Sequence, residues 1–502
     1  MKKSQVVVAI SLVLTTFGQA GGDIEKIVQA PVVKVDRQAL KSNYQVIYND
    51  LPQSVDSFSD MFTQGKYYGR LRSNNFYFKW KDEDSKHTTH SVSGLGASVV
   101  YKSATFNNFD FTVGGYFTRA FFKKNNDPVA HFKPGKGTLS RYDYLENGND
   151  YMAVLGQAYL RYSGIDNTEV KVGRQLVETF YTKSNDTKMI PNTFDGIYLS
   201  NKSIDKTVIN LAYLKDQKLR DHTDSHGVLV FGGSGTSKYS NFTGNDDTAM
   251  HRYLTYDKLA ALDLEDQPLI VGDIHNTSIE NLKIDASFYV VPDLLSQYMG
   301  ELNYKFTLAN GITVTPGIRY VNQVDNGAGA IGGASYYGSA ANYKDPDSLD
   351  GQMFAARVVT KIDNYKINLG YSKVFDEADL ITPWRSFVTS GYTRSMARYN
   401  WRANTQSYRI EVQRNANLTG IYNDMYIQAS ILYTDADESK DIAGETRAHR
   451  LDEIYYYAGF VQNIKSLDNL QWRLRLGYTD YVHEEDSKFD NLDGRFELNY
   501  LF

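Results

Sequence analysis

Arginines recur on the polar side of stretches in which apolar and polar residues alternate. Arg70, Arg72, Arg161, Arg319, Arg357, Arg409, Arg473, Arg475 and Arg495 all fall opposite their segment's apolar set, and Lys171 does the same. A row of guanidinium groups attracts anions and biases a passage toward them. The same arginines could equally do no more than balance carboxylates on that face, such as Glu301, Glu411 and Glu497. Arg174 departs from the pattern, because it shares parity with Val170 and Val172, and its facing stays open.

Other chemistries find little support. The chain has 502 residues and no cysteine, which removes thiolate metal sites and disulfide scaffolds. His87 and His90 lack the partner spacing of a metal site, and no nucleophile has a convincing catalytic arrangement of histidine and acid near it. Gly232-Gly233-Ser234-Gly235 and Gly327 to Gly333 read as mobile loop tips, since no strand-to-helix context makes them phosphate cradles. The acidic clusters Asp246-Asp247, Asp435 to Asp441 and Glu484-Glu485-Asp486 read as solvated loop surface, with divalent-cation bridges to lipopolysaccharide as the alternative. A net charge of −5 carries no footprint for nucleic acid. No enzymatic activity, cofactor or metal is expected.

The segments that position the arginines have period two. Phe109, Phe111, Val113 and Phe117 interleave with Asp110, Thr112 and Tyr116; Leu282, Ile284, Ala286 and Phe288 interleave with Lys283, Asp285 and Ser287. Ile312 to Tyr320, Trp472 to Tyr478 and Phe496 to Phe502 repeat the pattern. Each reads as a strand with one apolar and one polar face. Short joins, such as Gly164 to Asn167, Ala309-Asn310-Gly311, Asp363-Asn364 and Asn417 to Gly420, carry turn chemistry. Between them lie long polar connections near 123–149, 176–192, 216–268, 324–351, 376–402 and 434–452.

Short turns on one rim and long loops on the other describe a transmembrane antiparallel β-barrel, all-β, with periplasmic turns and extracellular loops. The count of clear segments is odd, and it becomes even, about 18, once a weaker strand near 268–276 precedes the turn Ser278 to Asn281. Mean hydropathy is −0.46, and beyond the first residues no apolar run approaches the roughly 20 residues a membrane helix needs. Alternation alone fits a soluble sandwich as well. Tyrosines at strand ends, Tyr67, Tyr101, Tyr162, Tyr371, Tyr433 and Tyr478, favour the membrane, because interfacial girdles use such side chains. So does the start: Met1-Lys2-Lys3, an apolar core from Val6 to Phe17 and the small residues ending at Ala20 have the layout of a secretory signal peptide. The expected organisation is a leader at 1–20, an N-terminal periplasmic extension at 21–57, too short to fill a wide barrel as a plug, and a barrel at 58–502.

Several ordered motifs then resemble one family. They are Gly69-Arg70-Leu71-Arg72, Leu155 to Leu160, Val170 to Gln175, Asp186 to Gly196, Leu294 to Tyr298 and the terminal strand ending in Phe502. From about residue 57 onward the chain resembles the OprD family of outer-membrane porins, in the form seen in epsilonproteobacteria. The resemblance implies an 18-stranded barrel in a Gram-negative outer membrane. Its third loop, helped by the seventh, would fold inward as a constriction, and a basic ladder would guide carboxylates. It places Glu178, Lys183, Asp186, Lys188 and Pro191 in the third loop, and Arg385 and Arg394 in the seventh, beside Asp376, Glu377, Asp379, Arg398 and Arg402. It makes Phe502 part of the signal read by barrel-assembly machinery. The implied function is passive diffusion of small hydrophilic solutes through a water-filled channel in contact with lipid and lipopolysaccharide. An adhesin or structural barrel with working surface loops is the alternative. Whether three barrels associate as a homotrimer is left open.

Overall fold

Lipid offers backbone N–H and C=O groups no partner, so strands persist there only if each pairs on both sides and the last returns to the first. Eighteen strands meet that condition in this computed structural model. The structure describes residues 33–34, 38–40, 45–84, 87–124, 138, 140, 143–144, 147–184, 189–230, 254–335, 342–414, 425–440, 450–464, 467 and 469–502. The leader at 1–20 and the turn at 417–420 lie outside them. In chain order the strands begin with β1 (Lys66–Trp80), β2 (His90–Lys102), β3 (Phe109–Lys124), β4 (Tyr151–Ile165), β5 (Thr168–Gln175) and β6 (Thr193–Asn201). There follow β7 (Thr207–Lys218), β8 (Leu269–Asn276), β9 (Leu282–Val291), β10 (Leu295–Tyr304), β11 (Thr313–Asp325) and β12 (Gly351–Ile362). The last are β13 (Tyr365–Val374), β14 (Gln406–Arg414), β15 (Met425–Asp435), β16 (Glu453–Asn463), β17 (Leu470–Tyr481) and β18 (Asn491–Leu501). Each runs antiparallel to the next, and β18 returns to β1 with Asn491 opposite Trp80 and Leu501 opposite Arg70. No helix among the described residues is long and apolar enough to cross a membrane.

The two faces sort as the alternation predicts. Leu71, Val113, Leu155, Ile318, Leu369 and Phe496 stand exposed on the outside, whereas Arg72, Thr112, Gln157, Arg319, Asn368 and Glu497 are buried inside. Tyrosines pair at both rims: Tyr67 with Tyr101 (4.8 Å) at the short-turn end, Tyr371 with Tyr408 (5.1 Å) at the other. The weak strand near 268–276 is β8. Its inward residues Leu269 and Val271 are apolar and buried, so both of its faces are greasy at that end and the alternation fades.

Short turns use residues that tolerate left-handed backbone: Asn167 (φ 56°), Asn281 (φ 60°) and Asp363 (φ 48°). The opposite rim carries the third loop (176–192), fourth (219–268), sixth (326–350), seventh (375–405) and eighth (436–452), while the fifth connection, 292–294, is tight. The main apolar core lies inside the barrel, where Phe180, Leu229, Leu254, Leu349 and Trp384 from the third, fourth, sixth and seventh loops cover inward residues of β6 to β13. The Gly327 to Gly333 stretch corrects the reading of a mobile tip. It forms a short helix (Ala328–Gly332) with buried residues, because the Asp325 carboxylate accepts the N–H groups of Gly327 (2.9 Å), Gly329 (3.0 Å) and Leu349 (3.1 Å). Ahead of β1 lie a small sheet of Val33–Lys34, Gln38–Leu40 and Val46–Tyr48 and a helix (Phe58–Thr63) whose cap Ser57 accepts the Asp60 N–H.

The seam is closed at the short-turn rim by Gly69 and Phe502, which exchange N–H···O bonds of 2.9 and 3.1 Å. The Phe502 ring lies over Gly69, where a Cβ would stand 2.2 Å from it. Gly69→Val is therefore expected to destabilise the closed barrel by about 1–3 kcal/mol through overpacking. The check is the fraction migrating as the compact, heat-modifiable form on an unheated SDS gel. A full compact fraction would show that the seam accommodates the side chain.

Candidate functional site

The third loop turns into the lumen as it leaves β5. Its Phe180 N–H donates to Asp273 Oδ2 on the inner face of β8 (3.0 Å), and Tyr181 meets Tyr289 of β9 edge to face at 4.9 Å. The loop is folded on itself: Thr182 N–H donates to Thr179 Oγ1 (3.0 Å), and Ser184 N–H to Glu178 Oε1 (2.8 Å). The Lys183 ammonium stands 3.7 Å from Glu178, so these two predicted constriction charges offset each other within the loop. Further on, Met189 and Ile190 pack with Val100, Tyr116, Met152 and Val154 of β2 to β4. The loop thus forms a chord across the lumen. Pro191 ends it, its carbonyl accepting from buried Lys218 (3.2 Å). Asp186 and Lys188 lie outside the described residues.

The seventh loop meets this chord. Thr182 and Arg385 form a β-bridge, Lys183 N–H donates to the Trp384 carbonyl (3.0 Å), and the Ser386 hydroxyl donates to the Phe180 carbonyl. Trp384 is fully buried; its indole N–H donates to the Val228 carbonyl of the fourth loop (2.8 Å) and its ring lies 4.4 Å from Tyr289. The loop's acids tie it to its neighbours. Asp379 accepts from Arg450 (3.0 Å), the Tyr343 hydroxyl (2.8 Å) and the Ala403 N–H (2.9 Å), while Asp376 pairs with Lys440 (2.7 Å). Part of the acidic Asp435 to Asp441 run is used likewise, with Asp437 on Lys440 at 3.1 Å.

The arginines divide into groups. Arg319 and Arg357 point inward but do not line open water, which corrects their reading as rungs of a ladder. Both bind Glu301 (Arg319 Nε 2.6 Å, Arg357 Nη2 3.4 Å) and flank the Tyr392 ring at 4.5 and 4.8 Å. Arg319 also donates to the Val388 (2.6 Å) and Ser390 (2.8 Å) carbonyls, and Arg357 to that of Gly391 (3.1 Å). They hold the seventh loop in place. Arg161 pairs with Asp110 (2.8 Å) and Glu169 (3.2 Å) near the short-turn rim. Arg174 is bound across the ladder to Asp195 (2.7 Å) and to Ser225 (2.7 Å) at the long-loop end of β5, away from the basic wall.

A second group follows one arc of wall from β14 through β18 to β1: Arg409, Arg473, Arg475, Arg495, Arg70 and Arg72. Arg475 and Arg495 stand directly opposite each other in the ladder, an arrangement that repels unless acids intervene. Glu497 takes Arg475, and Asp493 takes Arg495 (2.9 Å). Glu411 takes Arg409, and Asn499 accepts from Arg70 (2.8 Å). Arg473, half-buried, faces Glu497 in register.

A third group sits where the loops meet the wall. The Arg394 guanidinium lies 3.7 Å from the centroid of the Phe387 ring, which stacks on Tyr399 (5.1 Å) and Trp401 (5.5 Å). Burial and the charges of Arg385, Arg409 and Arg220 pull Arg394 down to about 10, so it stays cationic at neutral pH. Among the described residues no carboxylate pairs with it. Sequence reasoning did not single out Arg220, Trp384, Tyr392 or the three-ring stack. Two tryptophans and three further aromatics within a polar connection, Trp384 to Trp401, were the available signal.

Residues 130–420 match the sequence profile described as outer membrane porin, OprD family. Comparison with the sequences of curated proteins returns no match. Among solved structures, the chain is similar to a BenF-like porin from Pseudomonas fluorescens Pf-5, with TM-score 0.67 and 13% identity over 88% of this chain and 99% of that one. Pseudomonas aeruginosa OccK9 (OpdG) is similar at TM-score 0.65 and 16% identity, over 88% and 99% of the two chains. Pseudomonas aeruginosa OpdK with vanillate follows the same fold at TM-score 0.61 and 14% identity, over 87% and 98%. With the profile spanning more than half of the sequence, and eighteen strands closed around two inward loops, the chain belongs to the OprD family of outer-membrane porins.

Proposed function

We propose that this channel for small solutes favours anions, and among them carboxylates. The observation that carries the reading is Arg394: a cation over an aromatic face, with no acid to offset it among the described residues, reinforced by Arg385, Arg409 and Arg220 where the third and seventh loops narrow the lumen. A carboxylate crossing there gains charge-assisted hydrogen bonds in place of lost water. The Tyr399 ring, exposed beside Phe387, offers apolar contact to a planar solute. The similar OpdK structure contains vanillate, a solute of that kind. Beyond the constriction, half-buried Arg473 on β17 and Arg495 on β18 supply further sites. The acids paired to them keep each site weak, and conduction requires a solute that leaves as readily as it arrives.

Liposome swelling with size-matched carboxylate and neutral solutes tests this. Arg385→Gln with Arg394→Gln is expected to lower the carboxylate rate while the neutral rate holds; equal rates for both solutes in the unaltered porin would reject the preference. On the wall, Arg473→Gln with Arg475→Gln is expected to lower anion permeability in planar bilayers, and unchanged ion selectivity would remove those two from the path. Arg319→Met should act differently. It strips Glu301 of one partner and releases two seventh-loop carbonyls, a loss of about 3–5 kcal/mol for a broken buried pair. Its expected mark is noisy, fluctuating conductance, and steady wild-type steps would show that the loop is held without it.

A further inference from the structure

The described chain ahead of the barrel does not hang below the rim. The Gln38 amide donates to the carbonyls of Gly69 (2.8 Å) and Phe502 (2.9 Å), the two residues that close the seam. Leu40 and Val46 pack on Leu501, the last inward residue of β18. From there Tyr48 enters the lumen. Its ring meets inward-facing Tyr68 edge to face at 4.5 Å, and the Lys102 ammonium lies 4.6 Å from its centroid. It also packs on the cluster containing Met189 and Ile190 of the third loop. Asp50 fixes the far end through an ion pair with Lys66, and its carbonyl accepts the Tyr68 hydroxyl (2.6 Å). The gap left between this segment and the wall, bordered by Gln38, Val46, Tyr48, Arg70, Leu176 and Ser184, holds about 20 Å³. That is room for one water.

We infer that Gln38–Leu40 and Val46–Tyr48, clamped by Asp50, form a strap inside the periplasmic mouth that restricts the channel from its exit side. This rests on the channel reading above. Seated, the strap narrows the exit, props the third loop from below, and covers Lys102 with an aromatic face. The Lys102 ammonium also reaches Thr112 and Tyr159 (3.3 Å each), and Lys171 approaches the Tyr159 ring at 5.8 Å. Lys171 itself is paired with Glu169 (2.6 Å), so the cation the strap screens from passing anions is Lys102. Withdrawn, the strap leaves a wider exit with that cation exposed. Among the described residues its holds on the wall include one amide, one ion pair, one hydroxyl, the Lys102 contact with Tyr48 and apolar packing. Ordering backbone has an entropic cost that these contacts must offset, and the barrel closes through the pairing of β18 with β1, so the strap can leave while the barrel stays closed.

Single-channel recording of the full-length porin in planar bilayers tests the strap, with heat-modifiable migration confirming that each variant is folded. Tyr48→Ala is expected to raise unit conductance and to shift the reversal potential in a salt gradient further toward anions. Wild-type conductance and selectivity in folded Tyr48→Ala would overturn the proposal. Should that variant fail to fold, Asp50→Lys carries the same test with the same expected shifts, since it opens the clamp and keeps the ring. Absence of ohmic steps from the unaltered porin would defeat the channel reading itself, whereas normal steps with unmoved variants defeat only the strap.

Discussion

Backbone hydrogen bonding in a medium without water governs this molecule. Every strand edge left open in the bilayer costs several kcal/mol per unpaired group, so β18 must find β1. Residues Asn491 to Leu501 do so against Trp80 to Arg70, and Gly69 yields its side-chain space so that Phe502 can cover the join. The remaining features follow from closure. An antiparallel sheet that returns to its own edge has an even number of strands and segregates its connections to two rims. It turns one side-chain set to acyl chains and the other to an enclosed, wetted space.

That space is shaped by charge as much as by apolar packing. Arginines adjacent on one wall, such as Arg475 and Arg495, repel one another, and acids between them relieve the repulsion at a desolvation cost. Glu301 is the clearest case: it holds Arg319 and Arg357, and they in turn hold the carbonyls of a loop that must stay inside. Asp379 performs the same service from the loop side, joining the sixth, seventh and eighth loops through Tyr343 and Arg450. The loops so anchored fill the side of the lumen from β6 to β13 with apolar residues. The arc from β14 to β1 keeps its polar wall.

Alternation made the fold legible, because strands that separate lipid from water write that boundary into every second residue. It faltered at β8, where Leu269 and Val271 face a lumen filled by loops, so the wall there has no wet side. The inward third and seventh loops came from the resemblance of Asp186 to Gly196 and its neighbours, not from periodicity. Facing was readable for Arg319 and Arg475 alike, but not their tasks: one is spoken for by loop carbonyls about 70 residues away in sequence, the other by an acid on the next strand. Contacts of that range leave no local pattern. The Gly327 to Gly333 stretch misled although Asp325, whose carboxylate orders it, is only two residues away; the same carboxylate also ties in Leu349, 24 residues from Asp325, and that tie leaves no local pattern. Tyr48 could not be placed from an extension of mixed composition, because its partners are spread from Tyr68 to Ile190.

The central claim is that a continuous aqueous path remains past the joined loops and that fixed positive charge dominates its narrowest part. Reconstitution of the unaltered protein across a planar bilayer with a tenfold gradient of potassium chloride measures both at once. Discrete ohmic steps with a reversal potential of the sign set by chloride are the result this account predicts. A bilayer that stays silent although folded barrels are inserted, or a reversal potential of the sign set by potassium, would contradict it.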